Sequence, residues 1–158
     1  MLKQISLLIL CAVAIVLFAT PVHACTSAVV SGKVTLDGRP LLWKNRDTDF
    51  MRNHVDYVKG ERYDFIAVVN SANAYLKEAW MGTNSAGFAL MNTQSYNLVD
   101  VKGDEERGAA NGRVIYRALE VCATVEDFCH FLDTISKPSD IEANFGVIDA
   151  QGLSLIHI

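Results

Sequence analysis

The sequence is poor in the signals that most often announce a chemistry. It has no glycine-rich phosphate loop, no paired-cysteine zinc pattern and no Ser-His-Asp order. His54, His130 and His157 share no metal-ligand spacing. Positive charge is scarce: 14 Lys and Arg face 18 Asp and Glu, for a net charge of −4. That balance argues against non-specific nucleic-acid binding and against a basic membrane-facing surface. The one long apolar run, Ile5 to Phe18, falls short of the roughly 20 residues that span a bilayer comfortably. Cysteines are few, and Cys11 lies inside that run. The other three, Cys25, Cys122 and Cys129, are an odd number, so at least one is free or pairs between chains.

What is present begins at the N-terminus. Lys3, the apolar run and Val22-His23-Ala24 have the three parts of an export signal over residues 1–24. Cleavage after Ala24 makes Cys25 the first residue of an exported chain, periplasmic or secreted, covering 25–158. A thiol and a free α-amine then share one residue, and the amine can act as base for its own nucleophile. Such an amine titrates at roughly 7.7–8.0, close to working pH, as a general base requires. A rival processing also fits. Val22-His23-Ala24-Cys25 loosely resembles a lipobox, which would acylate Cys25, block its amine and anchor the chain to a membrane.

The exported part is long enough for one domain with one core. Thr26 to Thr35 reads as a strand, Leu36-Asp37-Gly38-Arg39 as a hairpin turn, and Pro40 to Lys44 as the returning strand. This hairpin brings Cys25 to the same end as Asn45-Arg46-Asp47. Asp64 to Asn70 is another strand, and Ala79–Thr83 and Gly87–Thr93 are a strand pair. Asp100 to Asn111 reads as a charged surface loop. Helices are expected over Gly112–Cys122 and from Thr124 onward. Thr124 and Asp127 form a capping box there, Val125, Phe128, Cys129, Leu132 and Ile135 an apolar face, and Pro138 the stop. Cys122 and Cys129 flank the break between the helices, as a disulfide or as two buried thiols. Trp43 and Trp80 read as core, and His130 as surface. Asn144–Ala150 and Leu153–Ile158 are strands about a turn at Asp149-Ala150-Gln151-Gly152. Ending on an apolar strand, the chain reads as truncated.

Several blocks in this order resemble a known family. They are Cys25-Thr26-Ser27 behind a removable leader, Asp37-Gly38, and Lys44-Asn45-Arg46-Asp47. Gly82-Thr83-Asn84-Ser85-Ala86-Gly87-Phe88 with Met91-Asn92-Thr93 follows, then Asn144-Phe145-Gly146-Val147-Ile148-Asp149 with Gly152. Together they resemble the N-terminal-nucleophile hydrolases, in the linear-amide group of choloylglycine hydrolases, penicillin V acylases and isopenicillin-N acyltransferase-like peptidases. The resemblance implies an α+β fold, a four-layer αββα sandwich, and a cysteine amidase or acyl transferase that needs neither cofactor nor metal. It implies a small-molecule amide substrate: a penicillin-like side chain, a bile-salt conjugate, an N-acyl amino acid or a short peptide. It implies Cys25 as nucleophile and base, Asp47 as the acid that orients the amine, and Asn92 as an oxyanion donor. Asn144, Lys44 and Arg46 are implied as substrate contacts. Lys44 stands where several bile-salt-type relatives carry Arg, which counts against bile-salt specificity more than against the chemistry. Without the resemblance, Asp47 reads as an ordinary turn acid and Asn92 as a strand-end residue satisfying local backbone. Homo-oligomer formation is open.

Overall fold

The computed structural model describes residues 25–72, 74–95, 104–136 and 139–157. The expected leader, Asp100 to Gly103, Pro138 and Ile158 lie outside the described residues. Among the described residues, eight strands and two α-helices follow the order β1 (Thr26–Val30), β2 (Leu41–Asn45), β3 (Asn53–Val58), β4 (Phe65–Asn70), β5 (Met81–Asn84), β6 (Ala89–Gln94), α1 (Asp104–Val121), α2 (Val125–Asp133), β7 (Ala143–Ile148) and β8 (Ser154–His157). Strands β3 to β8 form one antiparallel sheet in chain order, and β1 and β2 pair separately.

The mixed α+β class expected above is observed. Both helices cover one face of the large sheet. Phe65, Ala67 and Val69 of β4, Leu90 of β6, and Phe145 and Val147 of β7 join Ile115, Leu119 and Phe128 in one buried cluster. Phe128 meets Phe145 edge-on, with ring centroids 5.6 Å apart. The β1–β2 hairpin packs against β6, β7 and β8. It lies on the opposite face, because strand neighbours alternate in direction. Phe145 and Val147 point to the helices, whereas a Cβ on Gly146 would lie 2.8 Å from Met91 Cε and 3.0 Å from Val29 Cγ2. Glycine there lets β1 approach β7. The described residues therefore make three layers: helices, six-stranded sheet and hairpin.

Three buried polar side chains fasten the helical layer to the sheet. Asn84 Nδ2 donates to the carbonyls of Leu119 (2.9 Å) and Cys122 (2.7 Å), while its Oδ1 accepts from the amides of Ala86 and Phe88. Asn111 Nδ2 donates to the Glu142 carbonyl, and its Oδ1 accepts the Glu142 amide. Asp149 accepts the amide of Val125 at the start of α2 and those of Gln151 and Leu153 in the β7–β8 turn.

Several expectations are corrected. The first strand ends at Val30, five residues early. The Ser31 hydroxyl there accepts the Lys33 amide and starts a 3-10 turn, and a Cβ on Gly32 would sit 2.2 Å from the Gly38 carbonyl oxygen. The hairpin connection is thus a folded loop, with Gly38 at φ +73°. The segment from Asp104 to Asn111, expected as loop, is the start of α1. Gly112 is no boundary but a contact point: a Cβ there would lie 2.9 Å from Glu78 Cβ. The Thr124–Asp127 capping box forms as expected. Cys122 and Cys129 are both free, so there is no disulfide; Cys122 is buried but Cys129 is exposed. Phe128 takes the core position, and the next residue is rotated by about 100° toward solvent. Trp43 is 54% exposed and is not core. Strand β3 was not expected at all.

Candidate functional site

The hairpin register builds the site. Thr26 pairs with Asn45 and Ser27 with Lys44. Cys25, just ahead of β1, therefore meets the residues just after β2. Its Sγ donates to the Asp47 main-chain carbonyl at 3.6 Å. The thiol is half-buried. The chain runs through Ala24 into Cys25, so in the full chain the Cys25 nitrogen is a peptide nitrogen. The contact with Asp47 is made by the thiol and a carbonyl, one strand end against the other.

Alternation along β2 sets the rest. Leu42 and Lys44 face the large sheet, while Leu41, Trp43 and Asn45 face away. From that inward position the Lys44 ammonium donates to the Trp80 carbonyl at 3.0 Å and to Asn92 Oδ1 at 3.0 Å. Burial pushes Lys44 down to about 8; negative charge on the Cys25 sulfur opposes that shift and the Arg46 charge adds to it. Burial also lowers Arg46, to about 10, and Cys25 again opposes. Arg46 keeps its charge at neutral pH. Its guanidinium lies 4.6 Å from the centre of the Trp80 ring and donates to Asn53 Oδ1.

Asn92 is 4% exposed and sits in the middle of the sheet, on β6. An ammonium can only donate, so the atom it meets is the amide oxygen. The Nδ2 hydrogens of Asn92 are left as its donor end. Asn144 is the cross-strand partner of Thr93, and its Nδ2 donates to the Thr93 hydroxyl at 3.5 Å. The buried Asn144 Oδ1 has no hydrogen-bond partner. A cavity of about 80 Å³ beneath the hairpin is lined by Ser27, Val29, Asn92, Asn144 and Gly146 among others. Both asparagines thus border one small cavity next to the start of β1.

The six residues singled out in the sequence fall around one end of the hairpin. Cys25, Asp47, Lys44 and Arg46 are contributed by the hairpin ends, and Asn92 and Asn144 by β6 and β7. Reading along the chain missed Trp80 and Asn53, which hold Lys44 and Arg46. Trp80 is 36 residues from Lys44, and no local pattern connects them. Its role is not that of a plain core residue, since it offers a carbonyl to one cation and a ring face to another.

A second, apolar space lies toward the loop end of the hairpin. A trough of about 320 Å³ runs between the hairpin and β3–β6, lined by Leu42, Val55, Ile66, Met81, Ala89 and Ile148 among others. Among the described residues no group of three His, Cys, Asp or Glu is placed to hold a metal ion, and no helix is long and apolar enough to cross a membrane. No protein-family model matches this chain, and no curated protein matches it.

Proposed function

We infer that this chain is an exported amide hydrolase or acyl transferase of the N-terminal-nucleophile type, with Cys25 as nucleophile once the leader is removed. The reading extends the three described layers to the four-layer αββα sandwich of that group. One observation supports it most: the thiol at the start of β1 meets Asp47 at the end of β2, while Lys44 on the same strand reaches Asn92 across the sheet.

The chemistry follows from those positions. The freed α-amine of Cys25 takes the thiol proton, and the thiolate attacks the amide carbonyl carbon. Charge collects on the carbonyl oxygen, where the Asn92 Nδ2 donors receive it; one such donor is worth about 10²–10³ in rate. Asp47 orients the amine. The protonated amine then passes its proton to the departing nitrogen, leaving an acyl group on sulfur. Water or a second amine removes that acyl group and regenerates the thiol.

The test uses the full chain produced in an exporting host. N-terminal sequencing should begin at Cys25, and Cys25→Ala should lower turnover on a panel of linear amides by about 10³-fold or more. Turnover at the wild-type rate in Cys25→Ala would overturn the nucleophile role. The lipobox-like Val22-His23-Ala24-Cys25 supports a second reading, a lipid-anchored binding protein, and a diacylglyceryl mass on a blocked Cys25 would establish it instead.

A further inference from the structure

We propose that Lys44 is a positioning residue for the oxyanion donor: its ammonium, pinned to the Trp80 carbonyl, holds the Asn92 side-chain amide with oxygen inward and Nδ2 presented to the substrate. The proposal rests on the amidase reading above and adds to it a residue that acts through Asn92.

An unconstrained asparagine amide has no fixed donor end. Its two ends are nearly the same shape, and a half-turn about the last side-chain bond exchanges a donor for an acceptor. An acceptor facing the developing oxyanion would repel it. A useful donor needs something that rejects the flipped form. Lys44 has only donors, so the flipped form would set Nδ2 hydrogens against ammonium hydrogens. The selection is only as firm as the lysine is fixed. Two bonds fix it, each of 3.0 Å, and one goes to main chain. That main chain is itself tied to the sheet, because the Trp80 amide donates to the Val68 carbonyl at 3.0 Å. The desolvation that depresses Lys44 strengthens the bond to Asn92, since few waters compete for the ammonium. An ammonium on the amide oxygen also draws charge from the amide nitrogen and improves Nδ2 as a donor.

A merely structural lysine, one that just bridges hairpin and sheet, makes different predictions. Lys44→Met keeps the stem and removes the charge, a replacement that buried sites often tolerate. Lys44→Arg restores a donor. The first measurement is the side-chain NH₂ signal of Asn92 in nitrogen-15 spectra of the full exported chain, identified by its loss in Asn92→Ala. Lys44→Met should shift that signal and speed its hydrogen exchange; Lys44→Arg should return it toward the wild-type position. The second is kinetic. Lys44→Met should lower kcat on an amide substrate by about 10- to 100-fold, the range a misplaced catalytic group produces, with KM within about threefold. Alkylation of Cys25 by iodoacetamide, which forms no oxyanion, should fall less. In an Asn92→Ala background, Lys44→Met should add nothing to the loss, because both act through one donor.

An unmoved Asn92 signal in Lys44→Met, or losses that multiply in the double variant, would overturn the proposal. The spectra decide the Lys44–Asn92 link even if no amide is turned over. Absence of turnover in the wild-type chain would count against the amidase reading alone.

Discussion

The two faces of the six-stranded sheet are finished to different degrees. On the helical face, aromatic and aliphatic side chains from β4, β6 and β7 interlock with α1 and α2, and Asn84, Asn111 and Asp149 bind backbone groups that tie that layer to the sheet. On the other face the hairpin covers β6 to β8 but leaves Val55 and Tyr57 of β3 and Ile66 of β4 exposed, the last at 46%. Polar contacts there are fewer and involve charges: Lys44, Arg46 and a free thiol gather at one hairpin end. One face is built for stability by burial. The other tolerates a desolvated ammonium and an orphaned Asn144 oxygen, both costly and both at the site. Burying polar groups in this way costs stability, and the proposed catalytic role would account for that cost.

If the division is real, variants on the two faces should fail in different ways. Phe128→Ala should produce the largest loss of stability, about 3–5 kcal/mol, because the ring is fully buried between α2 and β7. Denaturant unfolding measures it; a loss under about 1 kcal/mol would mean that the helical face is not the main core. Cys25→Ala, by comparison, should leave the unfolding midpoint where it is while removing turnover.

The next effect depends on pH. Lys44 in the folded chain sits near 8, below its ordinary 10.5. Between those values the unfolded chain holds a proton that the folded chain has released. Stability should therefore rise with pH from about 8 to 10.5, by at most about 3 kcal/mol from this group. Below pH 8 both states are protonated and the full burial cost is present. Buried Cys122, pushed up to about 12 by burial first and by Asp127 second, works in the opposite direction above its ordinary value of 9. The contribution of Lys44 is isolated by the difference between wild type and Lys44→Met. Wild type should gain on the variant across that window, and parallel curves would show that Lys44 is not desolvated.

Gly146→Ala should cost less stability than Phe128→Ala and act more selectively. Its Cβ would press on Met91 Cε and Val29 Cγ2, an overpacking cost of about 1–3 kcal/mol. Because Cys25 stands just ahead of β1, lifting β1 should lower the proposed amidase turnover more than it lowers stability. Unfolding of the whole domain instead would show that the hairpin and the helical layer are not separable.

Much of this was legible along the chain, and the parts that were share a cause. The capping box at Thr124 and Asp127, the apolar face through Val125 and Phe128, and the Asn84–Gly87 turn all depend on residues within a few positions of one another. The pairing of the strands on either side of Asp37-Gly38, which puts Cys25 next to Asp47, was legible as well, although a folded loop joins them in place of a tight turn. What was not legible depends on distant neighbours. Strand β3 alternates weakly and is held by its register with β4, Asn53 opposite Asn70 through Val58 opposite Phe65. The early start of α1 passes through Gly112, whose missing side chain reads as a break until Glu78 is seen against it. Trp43 looks like core by composition and is turned outward by its place in the alternation of β2.

By itself the sequence determined that Cys25 stands behind a leader-like segment, that a hairpin follows, and that further strands accompany two amphipathic helices. These are matters of order, spacing and local periodicity, which the covalent chain carries directly. Only the tertiary structure decided that Cys122 and Cys129 stay apart, one inside and one out, and that Lys44 crosses to Trp80 and Asn92. Those outcomes depend on which face each side chain presents and on what lies across the sheet from it. Such neighbours are set by the packing of layers, and residues 36 and 48 positions apart carry no mark of each other in the chain.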